Sequence, residues 1–164
     1  MARDLYHALI RQALEADGVA NGLLLPESLV SLIEAGRWPR NKQESGRQNR
    51  ELRVPVEHIH KFAPEENWIY FDAPPFGKPE ITLASLNYFR GEPDTESPPG
   101  DIDFERAVII GDFGLGSDAP IALDYRKNLS NPSVIRYRWS PYGKTNRWVY
   151  VASSFEEFAE LLQL

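Results

Sequence analysis

Three carboxylates and three glycines crowd one stretch of the chain: Ile109-Ile110-Gly111-Asp112-Phe113-Gly114-Leu115-Gly116-Ser117-Asp118-Ala119-Pro120-Ile121-Ala122-Leu123-Asp124. Aspartates on a glycine-rich loop are residues that a hydrolase or a phosphate-binding loop would use. The glycines do not fall as GxGxxG, however, and no GxxxxGK followed by Ser or Thr occurs. Asp112-Phe113-Gly114 matches a kinase metal-binding motif by letter. The nucleotide-covering loop, strand lysine and catalytic loop that a kinase also needs are missing. The reading that remains is structural. Glycines at 111, 114 and 116 let the backbone take positive φ or approach a neighbour closely, and the carboxylates cap backbone N–H groups in a tight strand connection.

A second constellation lies at Val54, Val56, His58, His60 and Phe62, which alternate with Pro55, Glu57, Ile59 and Lys61. If this is a strand, His58 and His60 share a face and offer two metal ligands. The only other histidine, His7, is far off in sequence, and nothing points to a third ligand, so the expectation is no metal and no cofactor. Enzyme chemistry through Asp112, Asp118 or His58 stays as an alternative. A serine triad is not suggested, because no G-x-S-x-G exists.

The third feature is electrostatic. Residues 92–105 carry Glu92, Asp94, Glu96, Asp101, Asp103 and Glu105 with no base, which accounts for the whole net charge of −6. Pro93, Pro98, Pro99 and Gly100 break this segment, so it reads as a surface loop rather than a helix or interior strand. Residues 37–53 are opposite in sign, with six bases against Glu44 and Glu51. An acidic chain is a poor nucleic-acid binder, since neutralising phosphates dominates that affinity, and the basic segment lacks interleaved aromatics. A solvated loop over residues 37–52 is expected.

The elements that must position these residues follow from periodicity. Leu5, Tyr6, Leu9, Ile10, Ala13 and Leu14 predict an amphipathic helix over residues 4–16. Pro26 as a first helical residue, followed by Leu29, Val30, Leu32 and Ile33, predicts a second before Gly36. Trp68-Ile69-Tyr70-Phe71 is apolar on both faces, as a central strand would be, while residues 81–89 fit strand or helix equally. Two strands flank the glycine loop. Val134 to Trp139 alternates with both arginines on one face, residues 140–146 form a connection of hairpin length, and residues 147–152 give the last strand. Ser153 and Ser154 each precede a glutamate by three residues, a doubled capping signal for a terminal helix. Its Phe155 and Phe158 are expected to form a seam with Trp148. The order predicts an α+β single domain over residues 1–164, with a mixed, mostly antiparallel sheet carrying N-terminal helices and a C-terminal helix. No apolar run is long enough to span a bilayer, cysteine is absent and no signal-peptide core is seen, so a cytoplasmic protein is expected.

Ile110-Gly111-Asp112, then Gly114-x-Gly116-x-Asp118-x-Pro120-Ile121-x-x-Asp124, with Trp148, Ala152-Ser153 and Phe155-Glu156-Glu157-Phe158, resembles the SUKH superfamily of Smi/Knr-like domains. The resemblance covers roughly residues 105–164. Leu25-Pro26-Glu27 is similar to the family's N-terminal helix, though the Asn-Gly-Gly often found after it is missing. What the resemblance implies is a binding surface rather than a catalytic site. Family members of the immunity type block a toxin, often a nuclease or deaminase. The expected function is therefore a non-catalytic protein-binding module, with a toxin domain as partner and no nucleic acid or membrane. The alternative is a regulatory or scaffolding domain without a toxin. The carboxylates expected to meet the partner are Glu92, Asp94, Glu96, Asp101 and Asp103, with Asp112, Asp118 and Asp124 next.

Overall fold

The β-branched run that enters the glycine loop is a strand buried along its whole length. The computed structural model describes residues 22–48, 54–76, 89–113, 119–140 and 146–164. In chain order its elements are helices α1 (Glu27–Glu34), α2 (Lys42–Arg47) and α3 (Val56–Ile59), then strands β1 (Tyr70–Phe71) and β2 (Pro99–Gly100). A 3-10 turn (Phe104–Arg106) precedes strands β3 (Ala107–Asp112), β4 (Pro120–Asp124), β5 (Ser133–Arg138) and β6 (Arg147–Ala152), and helix α4 (Phe155–Leu162) ends the chain. Strands β3 to β6 form an antiparallel meander, β1 adds to the outer edge of β3, and β2 adds to the outer edge of β6. The α+β architecture with a C-terminal helix expected from sequence is the one seen, with every described pairing antiparallel. The helix expected over residues 4–16, most of the ambiguous segment 81–89, and Gly114 and Gly116 lie outside the described residues.

Both faces of the sheet are covered, which explains why β3 is buried at every position. On one face, Leu29, Leu32 and Ile33 of α1 and Phe155, Phe158 and Leu162 of α4 pack on Val108, Ile110, Ile121, Leu123 and Val134. On the other, Phe89 and Ile102 cover Ile109, Ala122, Ile135, Tyr137 and Trp148. Two bulges set which residue faces where. Ile109 pairs with Ala122 but Gly111 with Ile121, so Ile110 is the extra residue in β3. Val134 pairs with Ala152 but Ile135 with Tyr150, so Val151 is extra in β6. An extra residue reverses the alternation beyond it. Trp148 therefore lies on the face opposite α4, donating its indole N–H to the Phe89 carbonyl at 2.6 Å. The expected three-residue seam is corrected to Phe155 and Phe158 alone. Gly111 serves close approach, since a Cβ there would come 2.5 Å from the Tyr70 carbonyl oxygen.

Three further expectations are overturned. Residues 54–62 are not a strand: Pro55, with φ −58°, leads into α3, and the two-residue spacing of the histidines no longer places them on one face. His58 Nδ1 lies 3.2 Å from the Leu162 carbonyl oxygen, and His60 Nε2 lies 3.1 Å from Asn67 Oδ1. The apolar run at Trp68 is not a central strand. Only Tyr70 and Phe71 pair, at the edge, and Trp68 is exposed. Phe71 buries its ring against Trp38, with centroids 4.1 Å apart.

The basic stretch 37–52 is not wholly loop either, because Asn41 caps α2 by accepting from the Glu44 N–H at 2.9 Å. This short helix presents Ser45 and Gln48 to the free edge of β1. The Gln48 amide accepts from the Phe71 N–H at 3.0 Å and donates to the Phe71 carbonyl at 2.9 Å, as a neighbouring strand would. Ser45 Oγ donates to the same carbonyl at 2.7 Å. The side chains thus close an edge that would otherwise template another strand. Gln48→Ala leaves the buried Phe71 N–H unpaired while Ser45 still serves the carbonyl, and is expected to cost roughly 1–3 kcal/mol. Urea unfolding measures it, and an unchanged midpoint would show that water takes over the amide's place.

Candidate functional site

The acidic segment is a built structure rather than a solvated loop. Gly91 and Gly100 both hold positive φ, +70° and +71°, where the chain crosses itself. A Cβ on Gly91 would lie 2.2 Å from the Gly100 carbonyl oxygen, and one on Gly100 would lie 2.2 Å from that of Glu92. The crossing continues as a bridge between Gly91 and Asp101 and a 2.9 Å bond from the Ile102 N–H to the Arg90 carbonyl. Pro99 and Gly100 then pair with Val149 and Trp148, so the proline sits on an edge strand, where its missing N–H is tolerated. Gly100→Ala combines a disfavoured φ with a backbone clash, and is expected to cost at least about 2 kcal/mol. A denaturation midpoint within error of the wild type would refute the crossing.

Inside this frame the carboxylates divide by task. Asp94 Oδ1 accepts from the N–H groups of Glu96 at 2.9 Å and Ser97 at 3.0 Å, and Oδ2 pairs with Arg147 of β6. The N–H groups of Ser97 and Glu96, then Arg147, hold the Asp94 carboxyl below its ordinary value. Asp101 and Asp124 converge on Arg126. Arg126 Nη1 lies 2.6 Å from Asp101 Oδ1, while Nε and Nη2 reach the two Asp124 oxygens at 3.0 and 2.9 Å. Burial opposes that cation, but the two carboxylates outweigh burial and keep it protonated. Asp103 caps the 3-10 turn through the Glu105 N–H at 3.0 Å.

Asp112 is buried at the end of β3, opposite Pro120 and Tyr70. Asp118 lies outside the described residues. Of the eight candidates, Glu92 and Glu96 are the exposed ones among the described residues. They flank Asp94 beside the crossing, so the segment is an acidic rim along β2, with Asp94 and Asp101 as its fastenings.

The sequence reading missed the bases that fasten this rim. Arg147 is 53 residues from Asp94, and Arg126 is 25 from Asp101, so local charge counting could not pair them. Arg126 did carry a signal, because Asp124 precedes it by two residues across a turn. Also missed was Arg136, on β5, which is 3% exposed and pairs with Glu65. The two arginines expected on one face do lie together, since Arg138 reaches the same Glu65 oxygen at 3.7 Å.

An open depression of about 480 Å³ lies at the far end of β5 and β6, lined by Lys127, Asn128, Asn131, Tyr150, Ser153 and Glu157, among others. Lys127 Nζ sits 4.4 Å above the Tyr150 ring, and Glu157 is held by the Ser153 N–H and hydroxyl. Among the described residues no three His, Cys, Asp or Glu side chains are placed to share a metal ion. No described helix is long and apolar enough to cross a membrane. Comparison with family models, with curated proteins and with solved structures finds no match.

Proposed function

We propose that this chain is a non-catalytic protein-binding module, an immunity protein that neutralises a polymorphic toxin of nuclease or deaminase type in the cytoplasm of the producing cell. The observation that carries this reading is the acidic rim. Glu92 and Glu96 stand exposed beside a backbone crossing that Gly91, Gly100, the Asp94–Arg147 pair and the Asp101–Arg126 pair hold in place. A fixed negative edge suits a partner whose cleft is built to receive polyanions, because complementary charge steers encounter and excludes wrong partners. Fixing the charges in advance also lowers the ordering cost of association. The resemblance of residues 105–164 to the SUKH superfamily favours the same class.

The enzyme alternative asks Asp112, Asp118 or His58 to act on a substrate. Against it for His58, the ring is bonded to the last turn of α4 and so has a structural task. A regulatory domain would use the same rim on a different partner. Co-expression separates the two. If the gene beside this one encodes a toxin, this chain is expected to restore growth of cells expressing that toxin, and Glu92→Lys with Glu96→Lys to abolish the rescue with the fold intact. Rescue of equal strength by the charge-reversed chain would remove the rim from recognition, and no rescue by the wild type would remove the toxin.

A further inference from the structure

Arg136 is the most deeply buried cation among the described residues, and its surroundings leave it half-used. Its Nη2 lies 2.6 Å from Glu65 Oε1, its guanidinium carbon lies 5.5 Å from the centre of the Phe113 ring, and its Nε and Nη1 are buried without a hydrogen-bond partner. A buried guanidinium normally has its donors satisfied, because an unpaired buried donor costs about 1–3 kcal/mol and more when charged. Glu65 does not supply the missing acceptors. A single oxygen, Oε1, faces both Arg136 and Arg138, at 2.6 and 3.7 Å. In a guanidinium, Nη2 forms a two-toothed edge with Nε on one side and with Nη1 on the other. Glu65 thus holds the shared nitrogen through one contact and leaves Nε and Nη1, both buried, without an acceptor.

Exposure shows the way in. Arg136 has a side chain 4% exposed, whereas Glu65 is 37% and Arg138 57% exposed, so the cation is reached past Glu65 with Arg138 at the entrance. Glu66 stands beside Glu65 and also feels the Arg136 charge, so two carboxylates accompany the two cations, and only Glu65 is in contact with them. We infer that Arg136 and Arg138 form an oxyanion clamp in which Glu65 is the resident occupant, and that a phosphate or carboxylate group displaces Glu65 to take a full two-toothed edge of Arg136. This goes beyond the protein-binding reading and stands without it.

The test uses the wild-type chain and inorganic phosphate, with malonate as the carboxylate arm, at constant ionic strength set by sodium chloride. The readouts are the Arg136 Nε–H resonance and the thermal midpoint. Both are expected to shift saturably with phosphate or malonate, and the anion with the tighter apparent Kd identifies the ligand class. Glu65→Gln keeps an oxygen against Arg136 but removes the competing charge, and should tighten binding about tenfold. Arg138→Gln, at an exposed position that the fold does not need, should weaken it roughly threefold to tenfold. The clamp is overturned if neither anion moves the Arg136 resonance, if sodium chloride alone reproduces the shift, or if Glu65→Gln leaves both apparent affinities unchanged.

Discussion

Truncating Phe155 or Phe158 to alanine will lower the unfolding free energy by roughly 3–5 kcal/mol, the range for emptying a filled aromatic site in a core. Both side chains are wholly buried, and each joins two parts of the molecule. Phe155 meets Trp38 edge-on at 5.7 Å, and Trp38 stacks in turn on Phe71 of β1. Phe158 meets Phe62, which follows α3, at 5.8 Å, and Phe62 meets Phe113 at 5.9 Å. Loss of either ring therefore opens a cavity bounded by a strand, a helix and a turn that cannot all move in to fill it. The capping of α4 by Ser154, whose hydroxyl accepts from the Glu157 N–H at 3.1 Å, will not compensate, because a cap is worth only about 1 kcal/mol. Urea titrations of the two variants give the numbers, and a loss below about 1 kcal/mol in both would mean that α4 is not docked as described.

The second large effect has the opposite sign. Asp72 follows β1, and burial pushes its carboxyl up to about 6. Its backbone is fully engaged, with the N–H bonded to the Ile110 carbonyl at 2.9 Å and the carbonyl accepting from the Trp38 indole at 2.8 Å. The unfolded chain has an ordinary aspartate near 3.8. Between these values the folded protein binds more protons than the unfolded one, so stability falls as pH rises through this window and stays reduced above it. Asp72→Asn removes the charge and keeps the shape. It is expected to stabilise the protein at pH 7 by up to about 3 kcal/mol, an upper bound because the residue is only half-buried and water screens it. The gain should vanish near pH 4. Other carboxyls act in both directions: Glu66 is raised by burial and Glu65, while Glu157 is lowered by its bonds to Ser153. The informative quantity is therefore the difference between variant and wild type at each pH. Equal stability of the two at pH 7 would contradict the burial of this carboxylate.

The parts of the fold that were legible in the sequence are those in which one residue's neighbours along the chain decide its conformation. Helix α1 announced itself through Leu29, Val30, Leu32 and Ile33, and α4 through the serine–glutamate spacing at its start. Strands β3 to β6 were visible because β-branched and aromatic residues alternate or run unbroken there. What failed depends on partners distant in sequence. The extra residue at Val151, which sends Trp148 to the far face, cannot be seen in an alternation that looks regular. The histidine segment alternates like a strand, yet Pro55 presets a helical turn and α4 supplies the packing. Gln48 and Ser45 sit in a polar stretch with no periodicity, yet they complete a strand edge 23 and 26 residues away. At the candidate site the charge of residues 92–105 was plain, but its division into fastened Asp94 and Asp101 and exposed Glu92 and Glu96 was not, because Arg147 and Arg126 come later in the chain.

That division makes the central claim measurable. Glu92→Gln with Glu96→Gln removes exposed charge, while Asp94→Asn with Asp101→Asn removes charge that Arg147 and Arg126 already offset. With a toxin encoded beside this gene immobilised, the association rate is measured against ionic strength for the wild type and both double variants. The account predicts a rate roughly threefold to tenfold lower at low salt, with a shallower salt dependence, for the Glu92 and Glu96 pair. It predicts a smaller change in rate but a lower unfolding midpoint for the Asp94 and Asp101 pair. Wild-type rate and salt slope in the Glu92 and Glu96 variant would contradict the acidic rim as the surface that meets the partner.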